Sequence, residues 1–186
     1  MSEHRPRSLT VWWYTTPLGA EAGALRLGRL HAQGVLTVQE AVTVAWLRGS
    51  HAPRVKRARP AALRARHPGP GVGSLFAAVF RATRSPVDVA DLSCRLAGTG
   101  IDREFLEEVL RHARVGTSEL VAVSVGADPT AVTGPPTIGA IAFPPAGRWS
   151  VELTPDAPRI AAQVLEDLPL SGPARAALKR RAARRH

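Results

Sequence analysis

The sequence contains one cysteine, Cys94, among 186 residues, so it cannot form an internal disulfide framework and fits a reducing compartment. No pair of histidine or cysteine residues has the spacing of zinc ligands. A nucleophile elbow, a zincin helix and a dinucleotide-binding fingerprint are also absent from the sequence. These absences predict a protein that is not an enzyme, with no catalytic residues, no metal site and no bound cofactor.

No apolar run is long enough to span a bilayer, which takes about 20 helical residues. The most apolar candidate, residues 72–80, reads Val-Gly-Ser-Leu-Phe-Ala-Ala-Val-Phe. The N-terminus does not resemble a signal peptide, because Met-Ser-Glu-His-Arg-Pro-Arg is followed by a strand-like run. We therefore expect a cytoplasmic protein without a transmembrane span.

Basic side chains are abundant and unevenly distributed. The formal net charge is +10, with +10 in residues 1–84, −6 in residues 85–170 and +6 in residues 171–186. Such asymmetry is typical of proteins that bind nucleic acid or an anionic membrane, and it also suits head-to-tail self-association. Arginine outnumbers lysine 23 to 2, a bias that GC-rich coding also produces, so composition alone is the alternative explanation.

The first part of the chain reads as strand, helix and hairpin. Residues 8–16 are dense in β-branched and aromatic residues, which predicts a strand. Residues 18–33 predict a helix that Gly34 ends. Two further strands, at 40–48 and 53–59, are separated by a turn rich in glycine, serine and proline and form the predicted hairpin.

Residues 60–101 read as an insertion with one or two helices. Its glycine-rich stretch, residues 69–74, resembles a phosphate-binding loop but lacks the Gly-Lys-Ser/Thr ending that holds phosphate and magnesium, so we exclude that function. Ser85 is placed to cap a helix that extends to about Ala97. Cys94 is expected to be a small packed residue of this helix, since no feature that lowers the pKa of a thiol is visible.

The stretch Ile101–Ala127 predicts a capped helix followed by a buried strand. Asp102 suits the N-cap position and Gly116 the C-terminal end of the helix. Residues 120–125 are apolar at almost every position, which predicts that the strand at 118–126 is buried on both faces. The apolar stripe of the helix at 102–114 consists of Phe105, Leu106, Val109, Leu110 and Ala113.

This order of elements predicts an α+β fold, a ferredoxin-like βαββαβ antiparallel sheet with a helical insertion. A short strand at 137–143, a strand at 149–153 and a helix at 154–168 form a C-terminal βα extension. We expect both long helices on one face of the sheet, with the insertion or a second subunit covering the other. The predicted domain spans residues 8–168 and precedes a basic tail, residues 169–186.

Two glycine-anchored motifs resemble a bacterial domain-of-unknown-function family whose members are commonly described as predicted membrane proteins. The motifs are Gly-Ile-Asp-Arg-Glu-Phe at 100–105 and Gly-Thr-Ser-Glu-Leu at 116–120, and the resemblance covers roughly residues 9–127 and more loosely extends to 168. It implies a ferredoxin-like domain with a glycine-rich helical insertion, and the family has no established catalytic residues to carry over to this chain. Glu119 stands where the family prefers a small residue. Charged residues interrupt the insertion in this chain: Arg81, Arg84, Asp88, Asp91 and Arg95.

The residues leave three functions open. The first is a non-catalytic interaction or regulatory module that forms a homo-oligomer and has no evident small-molecule ligand. The second is an accessory nucleic-acid-binding protein, and the third is peripheral association with anionic lipid through residues 72–84 and the tail. The nucleic-acid hypothesis requires an arginine-rich strand and the tail on one continuous face, and edge protection is the structural alternative for the strand. Its candidate residues are Arg54, Lys56, Arg57, Arg59, Lys179, Arg180, Arg181, Arg184 and Arg185.

Overall fold

The structure is a computed structural model that describes residues 6–58, 71–81, 88–126 and 136–168. The described residues form seven strands and five helices. The strands are β1 (Arg7–Tyr14), β2 (Thr37–Ala45), β3 (Arg54–Arg57), β4 (Ser118–Val125), β5 (Thr137–Ile138), β6 (Ile141–Ala142) and β7 (Gly147–Leu153). The helices are α1 (Gly19–Ala32), α2 (Val72–Arg81), α3 (Val89–Arg95), α4 (Arg103–His112) and α5 (Ala157–Asp167).

Five strands form one antiparallel sheet in the order β3-β2-β4-β1-β7, and β5 and β6 form a separate two-stranded hairpin. β4 lies at the centre, where Val121 is opposite both Val11 of β1 and Val42 of β2. Every residue of β4 except Val125 is buried. The mixed α+β class is therefore confirmed, as is the prediction that this strand is buried on both faces.

The ferredoxin-like topology is not confirmed. The hairpin strand β3 lies on the outer edge of β2, and β4 lies between β1 and β2. Burial explains this order, since a strand that is apolar on both faces suits the middle of a sheet, whereas basic side chains suit an edge. β1, α1 and β2 still form a split β-α-β unit around β4.

The two faces of the sheet carry separate hydrophobic clusters. On one face, Trp12 and Tyr14 pack with Leu27 of α1. On the other face, Leu9 and Val11 belong to the cluster that contains the buried residues of α2, α4 and α5. The expectation that both long helices share one face is therefore wrong, because β1 and β4 bury apolar residues on both sides. The insertion does cover the second face through α2, together with α4 and α5.

Local signals of α4 are confirmed. The carboxylate of Asp102 accepts a hydrogen bond from the N–H of Phe105 at 2.7 Å, and Phe105, Leu106 and Val109 are buried. In α3, by contrast, the N-cap is Asp88, whose carboxylate accepts from the N–H groups of Ala90 and Asp91. The predicted cap Ser85 lies outside the described residues.

Two smaller predictions are corrected. Cys94 is exposed rather than packed, because α3 buries only Leu92 within Val89–Arg95. The short strand predicted at 137–143 is a tight hairpin of two-residue strands, β5 and β6, that turns at Gly139. Among residues 6–58, 71–81, 88–126 and 136–168, no helix combines the length and apolar character needed to cross a bilayer.

Candidate functional site

The basic residues of the β2–β3 hairpin lie on two different sides of the sheet. Lys56 is opposite Thr43, on the side of α1, and its ammonium group forms an ion pair with Glu21 at 2.6 Å. Arg54 is exposed on the same side as Lys56. Arg57 lies on the side of α2 and donates a hydrogen bond to the hydroxyl of Ser74.

The structure therefore brings two of the four predicted strand residues together, Arg54 and Lys56, and separates Arg57 from them. Arg59 and the five predicted tail residues lie outside the described part of the chain. The nucleic-acid surface stays a prediction. The six candidate residues that lie outside the described part of the chain are Arg59, Lys179, Arg180, Arg181, Arg184 and Arg185.

The glycine-rich first turn of α2 binds an internal carboxylate. Glu40 of β2 accepts hydrogen bonds from the backbone N–H groups of Gly73 and Ser74. A Cβ atom at Gly73 would lie 2.8 Å from Oε2 of Glu40, so the glycine makes room for the carboxylate. Burial raises the pKa of Glu40, while Arg57 and the two N–H groups oppose that rise. The N-terminus of α2 thus has an anion partner within the chain.

Glu119 is the most unusual side chain of the sheet. It lies on β4 between Trp13 of β1 and Val44 of β2, on the face that Val121 and Val123 share with α2 and α4. The side chain is 1 % exposed, and neither carboxylate oxygen has a hydrogen-bond partner among the described residues. Burial raises the pKa of Glu119 to about 8, so the carboxyl group keeps its proton at neutral pH.

Trp46 places a second unsatisfied polar atom on the same face. It follows Val44 by two residues, so its side chain points to the same side of β2, and its backbone pairs with Gly116 and Thr117 just before Glu119. The buried indole Nε1 of Trp46 has no hydrogen-bond partner among the described residues. A donor and a carboxyl group are therefore diagonal neighbours on adjacent strands.

A half-exposed imidazole lies beside the same end of the sheet. His112, the last residue of α4, stacks on Trp13, and its Nε2 lies 2.8 Å from Oε1 of Glu108. Hydrogen bonding to His112, followed by the charge of Arg111, holds the pKa of Glu108 below its usual range. Trp13 also covers Gly147 of β7, where a side chain would overlap the indole ring.

These groups offer a buried neutral acid, Glu119, and an imidazole, His112, that Trp13 and Glu108 hold in one orientation. In the described ranges, no three His, Cys, Asp or Glu side chains form a group that could hold a metal ion. Sequence reasoning did not select Glu119 as a functional residue. The sequence feature that could have identified Glu119 is its position, since it is an acidic side chain at the start of a strand that is otherwise apolar on both faces.

The outer edges of the sheet differ in their accessibility. At β3, the carbonyl of Val55 accepts a hydrogen bond from Arg81 at 3.4 Å, and the strand has only four residues. At β7, the N–H of Thr154 donates to the carbonyl of Thr99, and Gly100 lies against the carbonyl of Glu152. The turn at Thr99 and Gly100 thus covers the C-terminal end of β7. In the described residues no strand pairs with the rest of this edge.

No family model, curated protein or solved structure matches the chain. The resemblance to the bacterial domain-of-unknown-function family therefore stays a prediction from the two glycine-anchored motifs.

Proposed function

We propose that the chain is a non-catalytic interaction module that associates with further copies of itself. The observation that supports this proposal is the layout of the sheet. Among the described residues, helices cover both faces of the sheet, which leaves the backbone of an edge strand to pair with another molecule. The exposed Cys94 suits a reducing compartment such as the cytoplasm as the place of action.

Two basic side chains of the β2–β3 hairpin already have partners within the chain, which favours self-association over nucleic-acid binding. Lys56 is engaged by Glu21, and Arg57 by Ser74. These contacts support the interpretation that the basic strand protects its edge of the sheet. A phosphate-contacting strip would instead present several unpaired cations on one side.

Light scattering coupled to size-exclusion chromatography tests the proposal over a concentration series. The chain carries a formal charge of +10, so copies repel one another, and added salt should screen that repulsion and strengthen self-association. Binding to nucleic acid responds in the opposite direction, because salt weakens it steeply. Opposite salt dependences therefore distinguish the two functions in one instrument.

The expected result is a mass that rises with protein concentration and rises further at moderate salt, unchanged by a pool of short DNA and RNA. A chain that stays monomeric at every concentration and salt would overturn the proposal. A monomer whose mass increases with the nucleic-acid pool at moderate salt would establish the alternative function. Flotation with anionic vesicles, compared with neutral vesicles, tests the lipid hypothesis in the same way.

A further inference from the structure

Two buried side chains, one at the start of β4 and one just after β2, carry polar atoms that the described residues do not satisfy. Both carboxyl oxygens of Glu119 and the indole Nε1 of Trp46 have no hydrogen-bond partner within the described part of the chain. The carboxyl and the indole are therefore not bonded to each other. Since roughly nine-tenths or more of buried polar groups in proteins have a partner, each of these groups calls for one.

The two side chains are neighbours on one face of the sheet. Glu119 lies directly opposite Val44 of β2. Trp46 continues the same pairing two residues later, where its N–H donates to the carbonyl of Thr117 at 3.0 Å. Glu119 and Trp46 are thus diagonal neighbours on adjacent strands, within reach of each other's long side chains. A single bridging molecule joins two polar atoms that are roughly 5 Å apart, which a direct hydrogen bond cannot do.

Apolar side chains flank the carboxyl group of Glu119 on both sides. The carbonyl of Trp13 accepts a hydrogen bond from Ala146 on the β7 side, so Trp13 and Glu119 form a non-hydrogen-bonded pair, in which side chains are close. On the other side, Val44 is buried. These neighbours favour a small ligand over a large one.

The polar groups at this site comprise two donors and one acceptor. Burial raises the pKa of Glu119 to about 8, so at neutral pH its carboxyl group is protonated and presents one O–H donor and one carbonyl acceptor. The indole of Trp46 adds one N–H donor. A water molecule has two acceptor lone pairs for the two donors, and a hydrogen for the carbonyl. Three hydrogen bonds are also the usual number for a buried water.

We infer that one water molecule binds between Trp46 and Glu119, accepting from the indole N–H and the carboxyl O–H and donating to the carboxyl carbonyl. A cation does not suit the site, because two donors direct their positive ends into it. This inference does not depend on self-association, since the site lies within one chain.

Three substitutions distinguish a bound water from a dry site. Glu119→Gln keeps an N–H donor and a carbonyl acceptor in the same places, so it should retain the water. Glu119→Met has a similar length but offers neither group, so it should lose the water. Trp46→Phe removes the indole N–H and identifies its signal among those of the four tryptophans.

Nuclear Overhauser spectroscopy on the 15N-labelled chain detects the water directly. We expect a cross-peak between water and the indole Hε1 of Trp46 in the wild type and in Glu119→Gln, and its loss in Glu119→Met. The rotating-frame experiment separates this effect from proton exchange by sign. Because Glu119→Gln has no carboxyl proton, a cross-peak in this variant cannot be relayed through that proton.

A high-resolution crystal structure of the wild type provides the second measurement. Density for a water within hydrogen-bond distance of Nε1 of Trp46 and both carboxyl oxygens of Glu119 supports the inference. A direct bond between the indole and the carboxyl group overturns it, as does a wild type with neither density nor cross-peak. An unchanged cross-peak in Glu119→Met, shown by near-ultraviolet circular dichroism to be folded, overturns it too. If that variant is unfolded, the two wild-type measurements decide.

Discussion

The imidazole ring of His112 lies flat on the indole ring of Trp13, with ring centroids 4.2 Å apart and planes 7° apart. The stack joins the last residue of α4 to β1 at Trp13, which lies directly opposite Glu119 of β4. Glu108, one turn earlier on the helix, forms a hydrogen bond with Nε2 of the imidazole. The C-terminal end of α4 therefore contacts the sheet through the imidazole of His112, and Glu108 fixes the orientation of that ring.

We expect His112→Ala to lower the free energy of unfolding by about 1 kcal/mol, because it removes the ring stack and the bond to Glu108. His112→Phe keeps a ring on Trp13 and should recover more than half of that loss. Urea unfolding followed by circular dichroism measures both variants. Equal destabilisation by the two substitutions would show that the stack does not stabilise the fold.

Glu119 should make stability fall as pH rises. Burial raises the pKa of the folded carboxyl group to about 8 from an ordinary value of 4.5, so the folded chain binds more protons than the unfolded chain between these values. The free energy of unfolding then decreases by up to about 1.4 kcal/mol per pH unit across that window, as far as this group is concerned. Below pH 4.5 the full contribution of Glu119 to the free energy of unfolding is present.

Glu119→Gln should flatten this dependence, since an amide does not titrate. Urea unfolding at pH 5, 6, 7 and 8 provides the comparison, with the exposed Glu152→Gln as a control that should retain the wild-type slope. Parallel curves for wild type and Glu119→Gln would mean that the carboxyl group ionises normally in the folded chain.

Gly100 should tolerate alanine much less well than Gly98. Both have positive φ angles, 90° and 80°, so alanine costs about 1–2 kcal/mol at either position for the left-handed backbone. A Cβ at Gly98 would have no atom within 4 Å, whereas a Cβ at Gly100 would overlap the carbonyl oxygen of Glu152. Thermal unfolding should therefore give a lower Tm for Gly100→Ala, and indistinguishable Tm values would refute the close approach.

Glu40 should stabilise the fold more than the exposed acid Glu21. Glu40→Ala leaves the N–H groups of Gly73 and Ser74 without their acceptor, at a cost of about 1–3 kcal/mol. Glu21→Ala removes an ion pair to Lys56 whose side chains are roughly half exposed, and should cost less than about 1 kcal/mol. Measuring the unfolding free energies of both variants at pH 7 tests this order, and an equal or larger loss for Glu21→Ala would contradict it.

Patterns within a single element predicted the structure well, because local physics determines them. Asp102 caps α4, and Phe105, Leu106 and Val109 form its buried stripe, as helical spacing requires. Residues 8–16 were predicted to form a strand, and β1 occupies Arg7–Tyr14, with Leu9 and Val11 on one face and Trp12 and Tyr14 on the other. These features depend on neighbours that are close in the sequence.

Strand order and the buried acid could not be predicted in the same way. Whether β3 or β4 lies beside β1 depends on which of the two strands gains more free energy when its side chains are buried. That comparison involves residues far apart in the chain. Glu119 looked like the polar start of a strand, and its burial results from helices that begin and end elsewhere. A single sequence shows the acidic side chain but not the apolar layer that covers it.

The central position of β4 makes the chain dependent on a late event during its synthesis. β1 and β2 do not pair with each other. Each pairs with β4, which is synthesised later: Leu9 lies opposite Val123, and Val42 lies opposite Val121. While the ribosome makes the intervening residues, both strands expose apolar sides and unpaired backbone, a condition that invites chaperone binding. We expect a nascent chain arrested before Ser118 emerges to bind chaperones strongly, and the released full chain to bind them weakly.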